Sequence, residues 1–389
     1  MVNFTILAGG FSTFIATYVF DSDAGSLALT KQTPTGSDPS WIASNLQNTS
    51  ILYAVNEISP VGNLQSFLVD GDGGITLVDT VPTGGSGPTF TNPLSTGEVT
   101  AMNFGSPNCS LVATVPGDPL HFQRDSPVVA FPVNGGPSNP HMSLEHDGEV
   151  FVSDLGADKI WRLVRDGPPG NFRVQGQIDV DAGSGPRHMA IRDNILFIIN
   201  EKTSTLTAQH IPAAPNGTAF PLLANVTIVP SSAAGLNASF AGAELLISEP
   251  TDTFPDPLIY VSNRNLGPQF DPRGDTIAIF QFQNTTDSGC SSVRRRRAHP
   301  RRGAYGIPQE DTVSSTNGAL ELQAQVFTGL TNIRGMALGR VADGSDEFLI
   351  AGANTDGGVA IFRRSQGGRA LDLVARNTDV PSRTSFVFL

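Results

Sequence analysis

Short apolar runs separated by tight polar turns recur along the whole chain. In the segment 184–201, two apolar runs flank the turn Arg192-Asp193-Asn194, which predicts a β-hairpin. The start of the first strand of an antiparallel pair lies beside the end of the second, so Arg187 and Glu201 should meet at one end of this hairpin. No window repeats apolar residues at i, i+3, i+4 and i+7 over three turns, and helices are therefore not predicted.

The hairpin belongs to a longer unit of four strands that repeats along the chain. Units begin at Pro39, Pro88, Pro140, Pro186, Gly242, Ile333 and Pro381. The intervals between successive starts are 49, 52, 46, 56, 91 and 48 residues, the longest of which contains an insertion. Four-stranded units at this spacing are typical of propeller blades.

The last unit indicates how the ring closes. It supplies only the terminal strand Thr384–Leu389, whereas the N-terminal region supplies three strands, Thr5–Ala8, Phe14–Phe20 and Leu27–Gln32. The prediction is an all-β, seven-bladed β-propeller over residues 1–389, one domain closed by pairing the N- and C-terminal strands. Two packed β-sandwiches, the alternative, do not account for a lone terminal strand.

Composition and charge agree with this fold and restrict the partners. Only 15% of the 389 residues are charged, while 41 are glycine and 28 are proline, which favours many short strands joined by turns. The net charge of −12 argues against nucleic acid as a partner. No segment reads as a membrane span, and we expect a monomer.

Seven Asn-x-Ser/Thr sequons, against roughly four expected by chance, favour a secreted glycoprotein whose leader is absent from this sequence; a cytoplasmic location is the alternative. The sequon asparagines are Asn3, Asn48, Asn108, Asn216, Asn225, Asn237 and Asn284. Whether Cys109 and Cys290 pair stays open. The insertion 284–318 carries an arginine run between Arg294 and Arg302. We expect a solvated, disordered loop there rather than a processing site, an anionic-partner patch or a localisation signal.

The innermost strand of each blade lines the channel of a propeller, so two positions per unit should face its mouth. The residue after each start gives Ser40, Thr89, His141, Arg187, Ala243, Arg334 and Ser382. The end of each second strand gives Asn56 with Glu57, Asn103, Asp154, Glu201, Arg264 and Asn354. Three arginines at one mouth would repel one another unless an anion or carboxylates lie between them. The predicted partner is therefore a small substrate that is anionic or bears an oxyanion, such as a lactone.

Each of these residues also has a purely structural interpretation. Arg187 and Glu201 could form only a cross-strand ion pair, and His141 could be a satisfied histidine at the mouth. His188 follows Arg187 and should point the other way, between blades. The sequence has no zinc-ligand spacing, no nucleophile elbow and no phosphate-cradling loop, so neither a metal nor a cofactor is predicted.

Several motifs together resemble one family. They are Asn139-Pro140-His141, Gly185-Pro186-Arg187-His188-Met189, Ile199-Asn200-Glu201, Val261-Ser262-Asn263-Arg264 and Ile333-Arg334-Gly335. The chain thereby resembles the seven-bladed propeller lactonases, which include bacterial-type 6-phosphogluconolactonases and fungal carboxy-cis,cis-muconate cyclases. The resemblance implies that His141, Arg187, Glu201 and Arg264 are catalytic. It places Arg334 at the rim and also fits Asp154. Together with Asn263 and His188, which the strand pattern places near the same mouth, these residues are candidates for substrate binding.

The expected activity is that of a secreted, fungal-type lactonase that opens a small sugar-acid lactone at the channel mouth. Either Glu201 or His141 would activate water, while Arg187 and Arg264 bind the carbonyl oxygen or the product carboxylate. The alternatives are the muconate cyclase reaction, or a non-catalytic propeller that binds a glycan, lipid or protein.

Overall fold

The computed structural model describes residues 2–233, 237–284 and 318–389, and its regular structure is almost entirely β. The described residues contain no α-helix; the only helical elements are short 3₁₀ turns at Ser231–Ala233, Val341–Asp343, Ser345–Glu347 and Gln366–Gly368. The strands are, in chain order, β1 Asn3–Gly10, β2 Phe14–Asp21, β3 Ser26–Pro34, β4 Ile42–Ser44, β5 Ile51–Asn56, β6 Asn63–Val69, β7 Ile75–Pro82, β8 Pro88–Phe90, β9 Glu98–Asn103, β10 Asn108–Val115, β11 Asp118–Phe122, β12 Val128–Ala130, β13 Pro140–His146, β14 Glu149–Asp154, β15 Lys159–Arg165, β16 Phe172–Asp179, β17 Pro186–Arg192, β18 Ile195–Asn200, β19 Thr205–His210, β20 Gly217–Thr218, β21 Ala224–Thr227, β22 Phe240–Ile247, β23 Leu258–Asn265, β24 Thr276–Asn284, β25 Gly318–Phe327, β26 Thr331–Leu338, β27 Phe348–Asp356, β28 Val359–Ser365, β29 Ala370–Asn377 and β30 Arg383–Phe388.

These strands form seven sheets, which we call blades one to seven. Blade one is β4-β5-β6-β7, blade four is β17-β18-β19-β21, blade five is β22-β23-β24-β25 and blade six is β26-β27-β28-β29. Blade two, β8-β9-β10-β11, is irregular because β12 also pairs with β10; in blade three, β13-β14-β15-β16, the short β20 adds to the outer edge. Blade seven is β30-β1-β2-β3. The predicted seven-bladed β-propeller is confirmed.

The ring is closed by the two ends of the chain. Strand β30 pairs antiparallel with β1, with Leu7 opposite Val387 and Ala8 opposite Phe386. The lone C-terminal strand therefore completes the blade that begins at the N-terminus, as predicted. Without β30, the edge of β1 would be unpaired, and an exposed strand edge is prone to pair with other chains.

The hydrophobic core lies between blades rather than in one centre. The second strand of each blade is covered by a neighbouring blade on both faces, so every residue of β5 and of β18 is buried. Between blades six and seven, for example, the rings of Phe20 and Phe348 pack edge to face with centroids 4.8 Å apart. Each such buried side chain stabilises the fold by roughly 1.5–3 kcal/mol.

A β-bulge recurs in the inner strands and decides which side chains face the channel. The register between the first and second strands shifts by one residue between Pro140 and Met142, between Pro186 and His188, and between Ile333 and Gly335. The extra residue has no partner across the ladder, and a bulge re-aims its side chain. In these three blades the extra residues are His141, Arg187 and Arg334.

Candidate active site

A glutamate between two arginines forms the centre of the charged cluster. Oε2 of Glu201 lies 3.0 Å from Nε of Arg187 and 2.6 Å from Nη2 of Arg264. The predicted contact between Arg187 and Glu201 is therefore present, and Arg264 of blade five joins it. Each guanidinium is also held by a backbone carbonyl, Arg187 Nη1 by that of Ala243 at 2.6 Å and Arg264 Nη2 by that of Gly242 at 3.0 Å.

A second glutamate, Glu57 of blade one, belongs to the same cluster. Its Oε1 lies 3.8 Å from Nη2 of Arg334, whose guanidinium also sits over the ring of Phe11, 4.9 Å from the centroid. Burial raises the pKa of Glu57 above its usual value, and the charges of Arg334 and Arg187 only partly oppose this. For Glu201 burial acts in the same direction, but Arg264 and Arg187 outweigh it and lower its pKa. The two carboxyl groups thus differ in their readiness to hold a proton.

His141 lies beside these charges as a neutral imidazole. It is 3% exposed, and its pKa lies well below 6.5 because of burial and the nearby positive charge of Arg187. Its ring contacts Phe104, with centroids 5.7 Å apart, and its Nδ1 has no hydrogen-bond partner among the described residues. A neutral imidazole with a free nitrogen can accept a proton.

His188 occupies the channel next to this cluster, and the prediction that it points between blades is wrong. Its Nδ1 lies 2.6 Å from Oε1 of Glu244 in blade five. Its ring contacts Trp41 of blade one and Phe90 of blade two at centroid distances of 5.1 and 5.9 Å, and that of His141 at 5.0 Å. Only a side chain inside the ring can reach so many blades. The bulge at Arg187 is the reason, because it breaks the simple alternation of faces.

Two predicted substrate-binding residues, Asp154 and Asn263, hold their own blades together instead. Asp154 is fully buried; its Oδ1 accepts from the backbone N–H of Asn139 at 2.7 Å and its Oδ2 from Nε1 of Trp161 at 2.9 Å. Asn263 donates from Nδ2 to Oγ1 of Thr276 at 2.6 Å. None of their hydrogen bonds in the described structure reaches the arginine cluster, and Asn263 also donates to the carbonyl of Ile228 at 3.3 Å; substrate binding by either residue stays a prediction.

The predicted strand-end residues belong to two different positions of the repeat, the last residue of the second strand and the residue that follows it. The last residue of the second strand, such as Asn56 or Asp154, binds the adjacent turn, and the next residue faces the cluster, as Glu57 and Glu201 do. Glu57 was named at the rim without a role, although Asn56-Glu57 has the same place in its unit as Asn200-Glu201. The matching positions of these two dipeptides could have identified Glu57 as a site residue.

The bulge of blade seven does not fall at Ser382. In blade seven, Arg383 pairs with Gly10 and Ser385 with Gly9, so the extra residue of the bulge is Thr384. The hydroxyl of Ser382 instead donates to Oδ1 of Asn354 at 2.7 Å.

Other predicted features lie partly outside the described residues. The interior of the insertion 284–318, with its arginine run and Cys290, is among them, while Cys109 is fully buried. Within the described ranges, no group of three or more His, Cys, Asp or Glu side chains is placed to hold a metal ion. A search of the same ranges for a long apolar helix able to cross a bilayer found none.

Comparisons with known proteins give the family. The sequence profile described as "Lactonase, 7-bladed beta-propeller" matches residues 5–302. A protein of Arthroderma benhamiae named "Probable 6-phosphogluconolactonase" is 24% identical over 321 residues, 75% of this chain and 76% of its own length.

Solved structures agree on the fold. A "putative 6-phosphogluconolactonase" from Bacteroides fragilis superposes with a TM-score of 0.74 at 18% identity, covering 100% of this chain and 98% of its own. A protein from Lactobacillus plantarum gives the same TM-score at 19% identity, with both chains covered completely. The family match covers most of the chain and supports lactone hydrolysis as the class of activity. This chain belongs to the lactonase family of seven-bladed β-propellers.

Proposed function

We propose that this chain hydrolyses a small sugar-acid lactone at the arginine cluster in the channel mouth. The observation that carries the proposal is the Glu201 carboxylate held between Arg187 and Arg264, beside a neutral His141. Opening a lactone requires a base for water and fixed positive charge for the oxyanion that develops. The cluster supplies both.

His141 suits the role of base better than Glu201 does. Oε2 of Glu201 is occupied by two guanidinium groups, at 3.0 Å from Arg187 and 2.6 Å from Arg264, whereas Nδ1 of His141 has no hydrogen-bond partner among the described residues. The imidazole of His141 takes a proton from water as the water oxygen attacks the carbonyl carbon. The ring C–O bond then breaks, and the alkoxide receives a proton to give the hydroxy acid.

The arginines stabilise the negative charge during these steps. Arg187 and Arg264 are fixed by Glu201 and by backbone carbonyls, so they offer a preorganised positive field to the tetrahedral oxyanion. Arg334 is held less tightly than the other two arginines, because the nearest carboxylate oxygen, Oε1 of Glu57, lies 3.8 Å from its Nη2. It is the arginine we assign to an anionic group of the substrate.

The first substrate to test is 6-phosphogluconolactone, since the relative from Arthroderma benhamiae carries that activity in its name. The purified protein would be assayed at pH 7 with phosphorylated and unphosphorylated aldonolactones and uronolactones, by acid release above the spontaneous rate. Carboxy-cis,cis-muconate would be followed for ring closure in parallel.

Single-residue variants distinguish a loss of catalysis from a loss of folding. His141→Ala should lower kcat by at least 100-fold, since positioned acid–base groups contribute about 10²–10⁴-fold. His210→Ala, at an exposed histidine on β19, should leave kcat unchanged. Full activity of both His141→Ala and Glu201→Gln would rule out this mechanism. Ring closure of the muconate without lactone hydrolysis would favour the cyclase, and no turnover of any compound would favour a binding protein.

Secretion and glycosylation remain proposals, supported by the positions of the sequons, and a monomeric state is a further proposal. The side chains of six sequon residues are exposed, namely Asn3, Asn48, Asn216, Asn225, Asn237 and Asn284. Asn108 is half-buried, and its Oδ1 accepts from Nδ2 of Asn103. Peptide-N-glycosidase treatment of the native protein, followed by intact mass and light scattering, tests all three. An unshifted mass would refute glycosylation.

A further inference from the structure

We propose that Glu57 is the acid that protonates the leaving alkoxide when the lactone ring opens; this rests on the proposed lactone hydrolysis. The proposal starts from a contrast between the two carboxyl groups of the cluster. Oε2 of Glu201 is held by two guanidinium groups at 3.0 and 2.6 Å. Glu57 has one arginine nitrogen 3.8 Å from Oε1, and its buried Oε2 has no hydrogen-bond partner among the described residues.

The fold places Glu57 where a proton donor is needed. It follows strand β5 of blade one as Glu201 follows β18 of blade four, so the two carboxyl groups enter the cluster from opposite parts of the ring. His141 comes from blade three. A lactone bound between them can have water activated on one side and its ring oxygen protonated on the other.

The protonation states suit these roles. Burial and the charge of Asp38 raise the pKa of Glu57, against the charges of Arg334 and Arg187 and the nearby hydroxyl of Ser40. Burial lowers the pKa of His141, together with the charges of Arg187, Arg334 and Arg264 and the neighbouring His188. The two shifts widen the pH range in which His141 is neutral and Glu57 is still protonated. Carboxyl groups whose surroundings drive their pKa values apart, as for Glu57 and Glu201, commonly divide acid and anion roles between them.

The side chains of His141 and Glu57, together with water, account for every proton that is transferred. His141 gains a proton from the attacking water. Glu57 donates its proton to the alkoxide oxygen as the ring C–O bond breaks, which leaves a carboxylate 3.8 Å from Nη2 of Arg334. Release of the proton of His141 to solvent and reprotonation of Glu57 restore the starting state.

The experiment compares leaving groups. Glu57→Gln, Glu201→Gln and the exposed control Glu249→Gln would be assayed with gluconolactone, which releases an alkoxide, and with dihydrocoumarin, which releases a phenolate. A phenol has a pKa of about 10 and leaves without prior protonation. Glu57→Gln should therefore lose about 100-fold or more in kcat on gluconolactone and less than about fivefold on dihydrocoumarin. Glu201→Gln should lose activity on both, and Glu249→Gln on neither.

A second readout uses the pH dependence on whichever lactone the wild type accepts. The wild-type kcat should decline as the pH rises through the pKa of Glu57, because Glu57 then loses its proton; Glu57→Gln should abolish that decline and Glu57→Asp should restore it. Equal losses on both leaving groups, or an unchanged decline with rising pH, would overturn the assignment. Failure of the wild type to hydrolyse any lactone would instead refute the proposed function, and the two failures are thereby distinct.

Discussion

Replacing Glu201 by glutamine should destabilise the fold because it leaves two buried arginines without their shared counter-charge. The side chains of Arg187 and Arg264 are only 1% and 7% exposed. Glutamine is nearly isosteric with glutamate, so the change removes charge without creating a cavity. The two guanidinium groups would then repel each other in a medium that screens poorly.

The size of the effect follows from the burial of the pair. Removing one partner of a buried ion pair costs about 3–5 kcal/mol. Because a quarter of the Glu201 side chain is exposed, we expect the lower end, about 3 kcal/mol. An unfolding entropy of about 2.1 cal/mol/K per residue over 389 residues is about 0.8 kcal/mol/K. The melting temperature should therefore fall by about 4 °C.

Calorimetry with and without a small anion tests the cause. Inorganic phosphate can replace the missing charge, and at ten times its dissociation constant it would restore about 1.4 kcal/mol. The control, Glu249→Gln, alters an exposed carboxylate and should leave the melting temperature within about 1 °C of wild type. The reasoning is refuted by a Glu201→Gln melting temperature equal to that of wild type, or by phosphate stabilising both variants equally at matched ionic strength.

Four further predictions address single residues. Arg334→Gln should raise KM for an anionic lactone by about tenfold or more, the value of one charge-assisted hydrogen bond, with a smaller effect on kcat; steady-state kinetics decide. The pKa of His141 is lowered well below 6.5 by burial and by Arg187, so the acid limb of kcat/KM should lie well below pH 6.5; an acid limb centred at 6.5 would contradict this. Burial raises the pKa of Asp275 to about 6, above its unfolded value, so its stabilising contribution is complete below about pH 4 and is lost as the pH rises through 6. Urea unfolding should show a loss of up to about 3 kcal/mol from this group, and Asp275→Asn should abolish that slope. Asp154→Ala should lower the melting temperature by leaving buried donors unpaired, while the KM of the folded protein stays unchanged. A raised KM would show that Asp154 contributes to substrate binding.

The strand pattern was enough to predict the seven-bladed ring, because this fold depends on the local alternation of apolar and polar residues and on a repeat that is visible in the sequence. The pairing of β30 with β1 followed from counting strands at both ends of the chain. The contact between Arg187 and Glu201 followed from hairpin geometry alone. Contacts within one hairpin can be predicted from the sequence because the two partners are close together along the chain.

The orientation of side chains in the channel was decided only by the tertiary structure. The bulged residue Arg187 in β17 turns His188 into the channel, where alternation predicted the opposite. The distinction between Asp154, which binds its own turn, and Glu57, which faces the arginines, depends on a one-residue offset that residue type does not reveal. The opposite pKa shifts of Glu57 and Glu201 likewise come from arginines on other blades, and the order of residues along the chain does not fix those distances.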